Sequence, residues 1–256
     1  MEARSVALVR GWGWLIEGFA LFRRNPAIWM VLTLTLVLLW LGSLFIPVLG
    51  PLLFSLLSPV FFAGLMLGCR SLEQHGILEP AHLFAGFRHQ AAPLVTVGGV
   101  YLVGTIIVFG LVLLTSGGAH LPALPAKPGT DVEAMREAMR EMALALAVGA
   151  AAYLPLLMLI WFAPLLVALD RVAPLSAMKL SFVACLRNGG PFLVYGIAVL
   201  GLWFVLSIPS ALGTAGSVAA VALLMASIPV LICSIYVSYK DIFFVHTPPG
   251  GSAAQR

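Results

Sequence analysis

The chain has 256 residues, of which 61% are hydrophobic and 9% are charged, and its formal net charge is +4. A water-soluble globule of this length could not bury so much apolar surface, so the composition excludes that class and predicts an integral membrane protein. Residues 1–26 contain arginines but no short apolar core followed by a small-residue cleavage site, so we expect no removed signal peptide.

A polar-edged stretch opens the chain at residues 5–24. Arg10, Glu17 and Arg24 recur there every seven residues and give one narrow polar stripe on an otherwise apolar helix. Such a helix is typical of the membrane interface. Similar short stretches begin at Pro80 and Pro174. Each of the three ends in a related Arg-bearing phrase: FALFRRNP at 19–26, HLFAGFRHQAAP at 82–93 and SFVACLRNGGP at 181–191.

The three phrases predict three repeated units, each a short amphipathic helix followed by a membrane hairpin. The units cover residues 5–69, 78–169 and 174–241. We favour short helices that lie in the interface, because proline disfavours an uninterrupted helix. The alternative is that each short helix extends the transmembrane helix after it, with kinks at Pro26, Pro93 and Pro191.

Six apolar stretches are long enough to cross a hydrocarbon core of about 30 Å, which takes about 20 helical residues. They are residues 27–46, 48–69, 92–115, 145–169, 191–210 and 217–239. Only Pro47 and the Gly50-Pro51 region separate the first two, so one long kinked helix is an alternative there to a tight hairpin. We expect the hairpin, because a continuous apolar helix over both stretches would greatly overspan a bilayer.

The second unit carries an insertion at residues 116–142. It starts as a Gly- and Pro-rich loop and becomes helical after Thr130. Met135, Met139 and Met142 form one face of this helix, and thioethers suit Cu(I). No His or Cys joins the methionines, so packing is the favoured interpretation and no metal is expected.

Basic residues are distributed unequally between the predicted loops. If both termini face the cytoplasm, only Lys127, Arg136 and Arg140 lie on the opposite side of the membrane. The positive-inside rule therefore predicts an even number of spans with both termini in the cytoplasm. We expect residues 246–256 to form a flexible tail.

The predicted spans carry no ionisable side chain near their middle, which weighs against ion-coupled transport. The cytoplasmic ends carry basic residues that could recognise lipid phosphates, since a guanidinium group can bind a phosphate through two N–H donors. These candidates are Arg23, Arg70, Arg88, Arg171, Arg187 and Lys240. Prolines in the second helix of each hairpin are hinge candidates, although structural kinks are favoured: Pro59, Pro164 and Pro229.

His75, His82 and His89 also recur every seven residues. Helix positions seven apart lie about 10 Å apart along the axis, too far to share one ion, so we interpret these histidines as structural or solvated. The sequence contains no GxSxG, HExxH or phosphate-loop motif. We therefore predict no catalytic residue, no metal, no cofactor and no nucleic-acid partner.

Several phrases together carry a family resemblance: GFALFRRNP, HLFAGFR, SFVACLRNGGPFLVYG and SIYVSYKDIF. They resemble an uncharacterised family of six-span proteobacterial inner-membrane proteins, over most of the chain outside residues 116–142. More distantly, the layout is similar to the membrane domain attached to some glycerophosphodiester phosphodiesterases, whose catalytic domain this chain lacks. The resemblance implies an inner-membrane location and a six-helix bundle, and it supplies no activity.

The sequence thus predicts an all-α polytopic bundle that forms a single membrane domain over residues 1–256. Our hypothesis is a non-enzymatic role in organising or handling membrane lipid, or in supporting a membrane-protein partner or a homo-oligomer. The rival hypothesis is a transporter or channel for an uncharged or amphiphilic small molecule. A continuous polar cavity lined by Ser and Thr would favour transport, whereas a tightly packed centre with lateral grooves would favour lipid handling.

Overall fold

The computed structural model describes residues 2–115 and 132–244 of the chain. The described residues form α-helices and two short 3-10 helices with no strand among them, which confirms the all-α class. The Gly- and Pro-rich start of the predicted insertion and the predicted tail lie outside the described residues. The α-helices are α1 (Arg10–Phe22), α2 (Pro26–Ser43), α3 (Leu49–Glu73), α4 (Ala85–His89), α5 (Ala91–Thr115), α6 (Val132–Ile160), α7 (Ala163–Asp170), α8 (Pro174–Arg187), α9 (Gly189–Ser207) and α10 (Thr214–Phe243).

Six segments of the described chain are long and apolar enough to cross a membrane, which confirms the predicted number of spans. The fourth is longer than the predicted 145–169, because α6 continues the helix of the insertion directly into the membrane and α7 follows it. The six spans are Pro26–Ser43, Leu49–Glu73, Ala91–Thr115, Met135–Asp170, Gly189–Leu212 and Thr214–Phe243.

The first two spans form a tight hairpin. α2 ends at Ser43 and α3 begins at Leu49. Val48, immediately before α3, has a φ of 65°, a left-handed conformation that the interior of an α-helix does not contain. The chain therefore turns between the two helices, and the prediction of a hairpin rather than one long kinked helix is confirmed.

A break in helical conformation separates each short helix from the span that follows it. Asn25 separates α1 from α2 and caps the first turn of α2 with its side-chain oxygen. Gln90 separates α4 from α5, and Asn188 separates α8 from α9. Pro93 and Pro191 lie just after these breaks, in the first turns of α5 and α9, where a helix needs no N–H donor. The short helices are therefore separate elements, and the breaks precede these two prolines.

The short helices pack on the second helices of the hairpins. α1 packs across α10 and α9, the 3-10 helix Pro80–Phe84 and α4 pack on α3, and α8 packs on α6 and α7. A Cβ added at Gly18 would lie 2.7 Å from the backbone nitrogen of Ser234, and one added at Gly86 would lie 2.2 Å from the carbonyl oxygen of Val60. Only glycine permits such close approach. The three-unit repeat and the interfacial position of the short helices remain predictions.

The buried core lies toward the end of the bundle that we call the terminal end, where the N-terminal segment meets the end of α10. The Arg4 N–H donates there to the carbonyl oxygen of Ile242 at 3.0 Å. Trp14, Met66 and Phe162 are among the fully buried side chains of this core. By contrast, Pro191 and Tyr195 are the buried residues of the whole of α9. The bundle is thus tightly packed at the terminal end, whereas most residues of α9 lie outside the buried core.

Candidate functional site

An apolar groove of about 750 Å³ lies between α1, α9 and α10, and we call it the α1 groove. Trp12, Ile16 and Phe19 contribute one wall, and these three side chains also have large exposed surfaces. The opposite walls come from the spans α9 and α10, including Gly201. The groove therefore lies beside two membrane-spanning helices and offers apolar side chains to whatever occupies it.

Ser227 is the hydroxyl-bearing residue in the lining of the α1 groove, and its hydrogen bonds are used within the protein. Its Oγ donates to the carbonyl oxygen of Leu224 at 2.7 Å and accepts the Trp203 Nε1–H at 3.2 Å. A serine that bonds its own helix backbone presents little polarity to a neighbour. The α1 groove is consequently suited to hydrocarbon.

A second lateral groove of about 650 Å³ lies between α6, α8, α9 and α10, on the other side of α9. Its lining includes Phe192, Trp161 and Trp203. The Trp161 and Phe192 rings meet edge to face with centroids 5.6 Å apart. Two apolar grooves therefore flank α9, which accounts for how little of that helix is buried.

A smaller cavity of about 390 Å³ lies among the spans, and two hinge candidates, Pro59 and Pro164, line it. Its hydroxyl groups are already bonded. The Ser58 Oγ donates to the carbonyl oxygen of Ser55 at 2.9 Å, and the hydroxyls of Tyr101 and Tyr153 lie 2.9 Å apart. The indole N–H of Trp161, which also lines the cavity, is buried and has no partner among the described residues. These groups do not form a continuous polar path.

At Pro59 a side chain supplies the donor that the proline removes from the helix. Proline lacks an N–H, so Pro59 leaves the carbonyl oxygen of Ser55, four residues earlier, without its helical donor. The Ser58 hydroxyl supplies that donor. Pro229 lies buried inside α10, and Pro164 lies in the first turn of α7. Both the structural-kink interpretation and hinge motion at these prolines stay predictions.

The break between α6 and α7 lies just before Pro164, and a side chain from α8 bridges it. In a continuous helix the Phe162 N–H would bond the Met158 carbonyl. The Ser181 Oγ instead accepts the Phe162 N–H at 2.9 Å and donates to the Met158 carbonyl oxygen at 2.7 Å. A hydroxyl inserted into the helical ladder in this way opens and kinks a helix.

Nearby, burial raises the pKa of Cys185 on α8 to about 12, so this thiol stays protonated.

The end of α10 connects the second helices of the other hairpins. The Tyr236 hydroxyl donates to Glu73 Oε2 at 2.7 Å, and the Lys240 ammonium forms an ion pair with the same carboxylate. Tyr239 donates to the carboxylate of Asp170. Neighbouring residues of one helix turn thus reach the ends of both α3 and α7, and they hold the terminal end of the bundle together.

Asp241, the next residue of α10, holds α1. Its Oδ2 accepts the Arg10 Nε–H at 2.6 Å and the Trp14 Nε1–H at 2.9 Å. Arg10 also pairs with Glu17 at 2.8 Å. Burial alone would lower the pKa of Arg10, but its hydrogen bonds to Asp241 and Glu17 outweigh burial and raise that pKa. Arg10 therefore remains charged and fixed between two carboxylates.

Asn188 holds the N-terminal segment before α1 on the bundle through two hydrogen bonds. The Asn188 Oδ1 accepts the Val6 N–H at 2.9 Å, and its Nδ2 donates to the Arg4 carbonyl oxygen at 2.9 Å. The Arg4 Nε donates in turn to the Asp241 carbonyl oxygen at 2.7 Å. Asn188 is fully buried, so its side chain acts as a structural connector.

The structure separates the predicted phosphate candidates into different environments. Arg23 is exposed, and its guanidinium carbon lies 5.3 Å from the centroid of the Phe19 ring, which lines the α1 groove. Arg187 donates to the Ala3 carbonyl oxygen at 2.9 Å, and Lys240 is paired as described. The remaining candidates are exposed on three other elements: Arg70, Arg88 and Arg171. Among these six, Arg23 stands out because its guanidinium lies over a side chain that lines the α1 groove.

The histidines lie in the connection between α3 and α4 or at its end. His75 has a φ of 60° and is exposed. The Glu79 N–H donates to the His82 Nδ1 at 3.1 Å, so His82 caps the 3-10 helix. The side chain of His89 lies outside the described residues. These positions agree with the structural interpretation of His82.

Sequence reasoning missed the connecting roles of Asp241, Asn188 and Ser181. Asp241 lies within the phrase SIYVSYKDIF, but its partners are 227 and 231 residues away in the chain. The seven-residue spacing of Arg10 and Glu17 was a signal for their pairing across two helical turns. Ser181 gave no signal, because serine is common near helix ends.

These features define an all-α polytopic membrane protein. Side-chain hydrogen bonds connect its helices at the terminal end, and apolar grooves lie at its side. The chain is 32% identical over 263 residues to a protein of Burkholderia thailandensis named a probable inner membrane protein, with 97% of this chain and 96% of that protein covered. The chain therefore belongs to the family of this probable inner membrane protein. No family model matches the chain, and no solved structure matches it. The resemblance to the phosphodiesterase membrane domain receives no support.

Proposed function

We propose that the protein binds a membrane phospholipid, with an acyl chain in the α1 groove and the phosphate at Arg23, and that it organises or handles lipid in the inner membrane without catalysing a reaction. The observation that carries the proposal is the groove itself, which is apolar and flanked by two membrane-spanning helices. Its size falls within the range of known ligand pockets. Lipid hydrocarbon is the material available to fill an apolar groove beside two membrane-spanning helices.

The position of α1 supports a lipid with a polar head. Trp12, Ile16 and Phe19 follow the spacing of one helix face and point toward the groove, whereas Arg10 and Glu17 form an ion pair on another face. A helix with this division of faces favours the boundary between headgroups and acyl chains. A chain in the groove would thus place its headgroup near the polar edge of α1.

Arg23 is the suited phosphate contact because it follows α1 directly and its guanidinium lies over Phe19 at the groove. A guanidinium can bind a phosphate through two N–H donors while it remains stacked on a ring. Anionic lipids concentrate in the cytoplasmic leaflet. We accordingly propose that the terminal end, with both chain termini, faces the cytoplasm; the basic residues exposed there support this orientation.

The transport hypothesis has less support. The cavity among the spans has its hydroxyl groups satisfied internally, and the kink at Pro59 leaves no unpaired carbonyl. A polar solute would lose its hydration there, and the Trp161 indole N–H would compensate for only part of that loss. The arrangement thus favours lateral binding of lipid over passage of a polar molecule.

The test compares two glycine substitutions in protein extracted with its surrounding lipid in native nanodiscs. An added Cβ at Gly201 or at Gly110 meets no atom within 4 Å, so Phe can be introduced at either site without a backbone clash. Gly201 lines the α1 groove, whereas Gly110 lies on α5 away from it. Mass spectrometry should show less retained phospholipid for Gly201→Phe and a wild-type amount for Gly110→Phe. Equal retention by both variants would overturn the proposal.

The headgroup contact is tested separately with Arg23→Gln and the matched control Arg88→Gln. Losing a charge-assisted hydrogen bond costs about 1.5–3 kcal/mol, so we expect Arg23→Gln to bind phospholipid with a Kd that is higher by about tenfold or more. Diacylglycerol, which lacks the phosphate, should bind equally to wild type and to both variants. If Arg88→Gln weakens phospholipid binding as much as Arg23→Gln does, the phosphate does not lie at Arg23.

A further inference from the structure

Asp241 is a buried carboxylate with donors from one neighbouring segment. The residue is 5% exposed, and its two oxygens lie within reach of Arg4, Arg10 and Trp14. All three donors belong to the N-terminal segment and α1. A buried carboxylate is stable only when paired and hydrogen-bonded, so these contacts are what allow Asp241 to remain ionised inside the bundle.

The contact between Trp14 and Asp241 fixes how α1 is rotated. Trp14 is fully buried, and its ring packs on Phe192 and Tyr195 at centroid distances of 5.3 and 6.1 Å. Its indole N–H needs an acceptor in that apolar site, and Asp241 Oδ2 supplies one at 2.9 Å. With Trp14 directed inward, Trp12 and Ile16 are placed along the α1 groove.

The close glycine contacts select which face of α1 meets the bundle. Gly11 and Gly18 let that face approach Pro191 and Ser234, but they supply no side-chain hydrogen bond across the contact. Arg10 and Trp14 lie four residues apart and bond the same carboxylate oxygen, which defines both the position and the rotation of the helix start.

We infer that Asp241 is the positioning residue for the lipid site: through Arg10 and Trp14 it holds α1 as the wall of the α1 groove, and phospholipid occupies the groove only while this contact is intact. This inference rests on the proposed lipid binding. Asp241 itself lies behind α1 and does not contact the lipid. Its effect on binding is therefore indirect, through the placement of Trp12 and Ile16.

The test uses the full chain in nanodiscs of phosphatidylglycerol that carries a diazirine in one acyl chain. Asp241→Asn removes the charge at nearly constant size. Asp170→Asn is the matched control, because Asp170 is also a carboxylate at a helix end, but its hydrogen bond is to Tyr239 on α10 rather than to α1. Two readouts are taken on each protein: hydrogen exchange of the α1 amides, and photolabelling of peptides from α9 and α10 that line the groove.

The inference predicts that α1 amides exchange about tenfold faster or more in Asp241→Asn, because hydrogen bonds to a charged group are lost, and that groove labelling falls by a similar factor. Asp170→Asn should leave both readouts at wild-type levels. Trp14→Phe, which removes one donor and keeps the ring, should change both readouts in the same direction. Trp40→Phe, on the exposed face of α2, should change neither.

Three results distinguish failure of the positioning role from failure of the proposed lipid site. Unchanged α1 exchange in Asp241→Asn overturns the positioning role whatever the labelling shows. Faster exchange with unchanged groove labelling also overturns the inference, while the proposed lipid site stands. Absence of groove labelling in the wild-type protein overturns the proposed function itself, and the inference falls with it; any effect of Asp241→Asn on α1 exchange then describes helix packing alone.

Discussion

Replacing Ser181 by alanine removes the hydroxyl that bridges the break between α6 and α7. In the wild-type protein the Ser181 Oγ satisfies the Phe162 N–H and the Met158 carbonyl at 2.9 and 2.7 Å. Ser181 is fully buried, so water does not replace the lost partner at its site. The variant therefore leaves the Phe162 N–H without this acceptor and the Met158 carbonyl without its hydroxyl donor.

Each buried polar group without a partner costs about 1–3 kcal/mol, so the loss of both partners would lower the free energy of unfolding by up to about 6 kcal/mol. The Cys185 Sγ lies 3.8 Å from the same Met158 carbonyl and relieves part of that cost, because a thiol is a weak donor. The Phe162 N–H has no such substitute, so its cost of about 1–3 kcal/mol is the minimum loss that we expect from Ser181→Ala.

The assay is reversible unfolding in mixed micelles with increasing denaturing detergent, followed by far-ultraviolet circular dichroism. Ser176→Ala is the matched control, because Ser176 is an exposed serine on the same helix and its replacement should change stability by about 0.5 kcal/mol or less. If Ser181→Ala is as stable as Ser176→Ala, the backbone groups find each other directly. The hydroxyl is then not what holds the break open.

Two further predictions follow from close packing and burial. Gly18→Ala places a methyl group 2.7 Å from the Ser234 backbone nitrogen, so it should displace α1 and destabilise the protein by about 1–3 kcal/mol. The methyl group of Gly13→Ala lies 3.3 Å from the nearest atom, an Arg10 side-chain nitrogen, so this variant should cost less in the same unfolding assay. The raised pKa of Cys185, about 12, predicts negligible maleimide labelling at pH 8 compared with an introduced Ser176→Cys. The folded state keeps this proton longer than the unfolded chain, so stability should fall as the pH rises above the thiol's ordinary pKa of 9.0. Rapid labelling of folded wild-type protein at Cys185 would contradict this.

The spans and the first hairpin could be predicted from the sequence because they follow from length and hydropathy alone. A run such as 92–115 has one stable solution in a bilayer, which is a helix with all backbone groups bonded internally. The breaks before α5 and α9 were harder to place. The prolines at 93 and 191 marked them to within three residues, but the chain turns at Gln90 and Asn188, since proline is tolerated in the first turn of the new helix.

The environments of individual charges could not be predicted, because they depend on contacts between distant parts of the chain. Arg187 and Lys240 were phosphate candidates on the strength of charge and position, and the structure gives both of them partners within the protein. Trp14 belonged to the apolar side of an amphipathic helix, and its polar contact with Asp241 depends on how α1 crosses α10. Periodicity identifies the face of a helix but not the residue opposite it.

The distribution of polar contacts explains why this bundle has grooves at its side. The ends of α3, α7 and α1 are all joined to the last turns of α10, through Glu73, Asp170 and Asp241. Hydrogen bonds between side chains need not be repeated toward the other end, because each span satisfies its own backbone there. α9 is joined to α10 near Tyr195, whose hydroxyl lies 2.7 Å from Ser234 Oγ, and again through the Trp203 Nε1–H on Ser227 Oγ, and few of its other residues are buried. Lipid chains are the natural neighbours of such a helix, and the α1 groove is where a short helix adds a third wall to the space beside it.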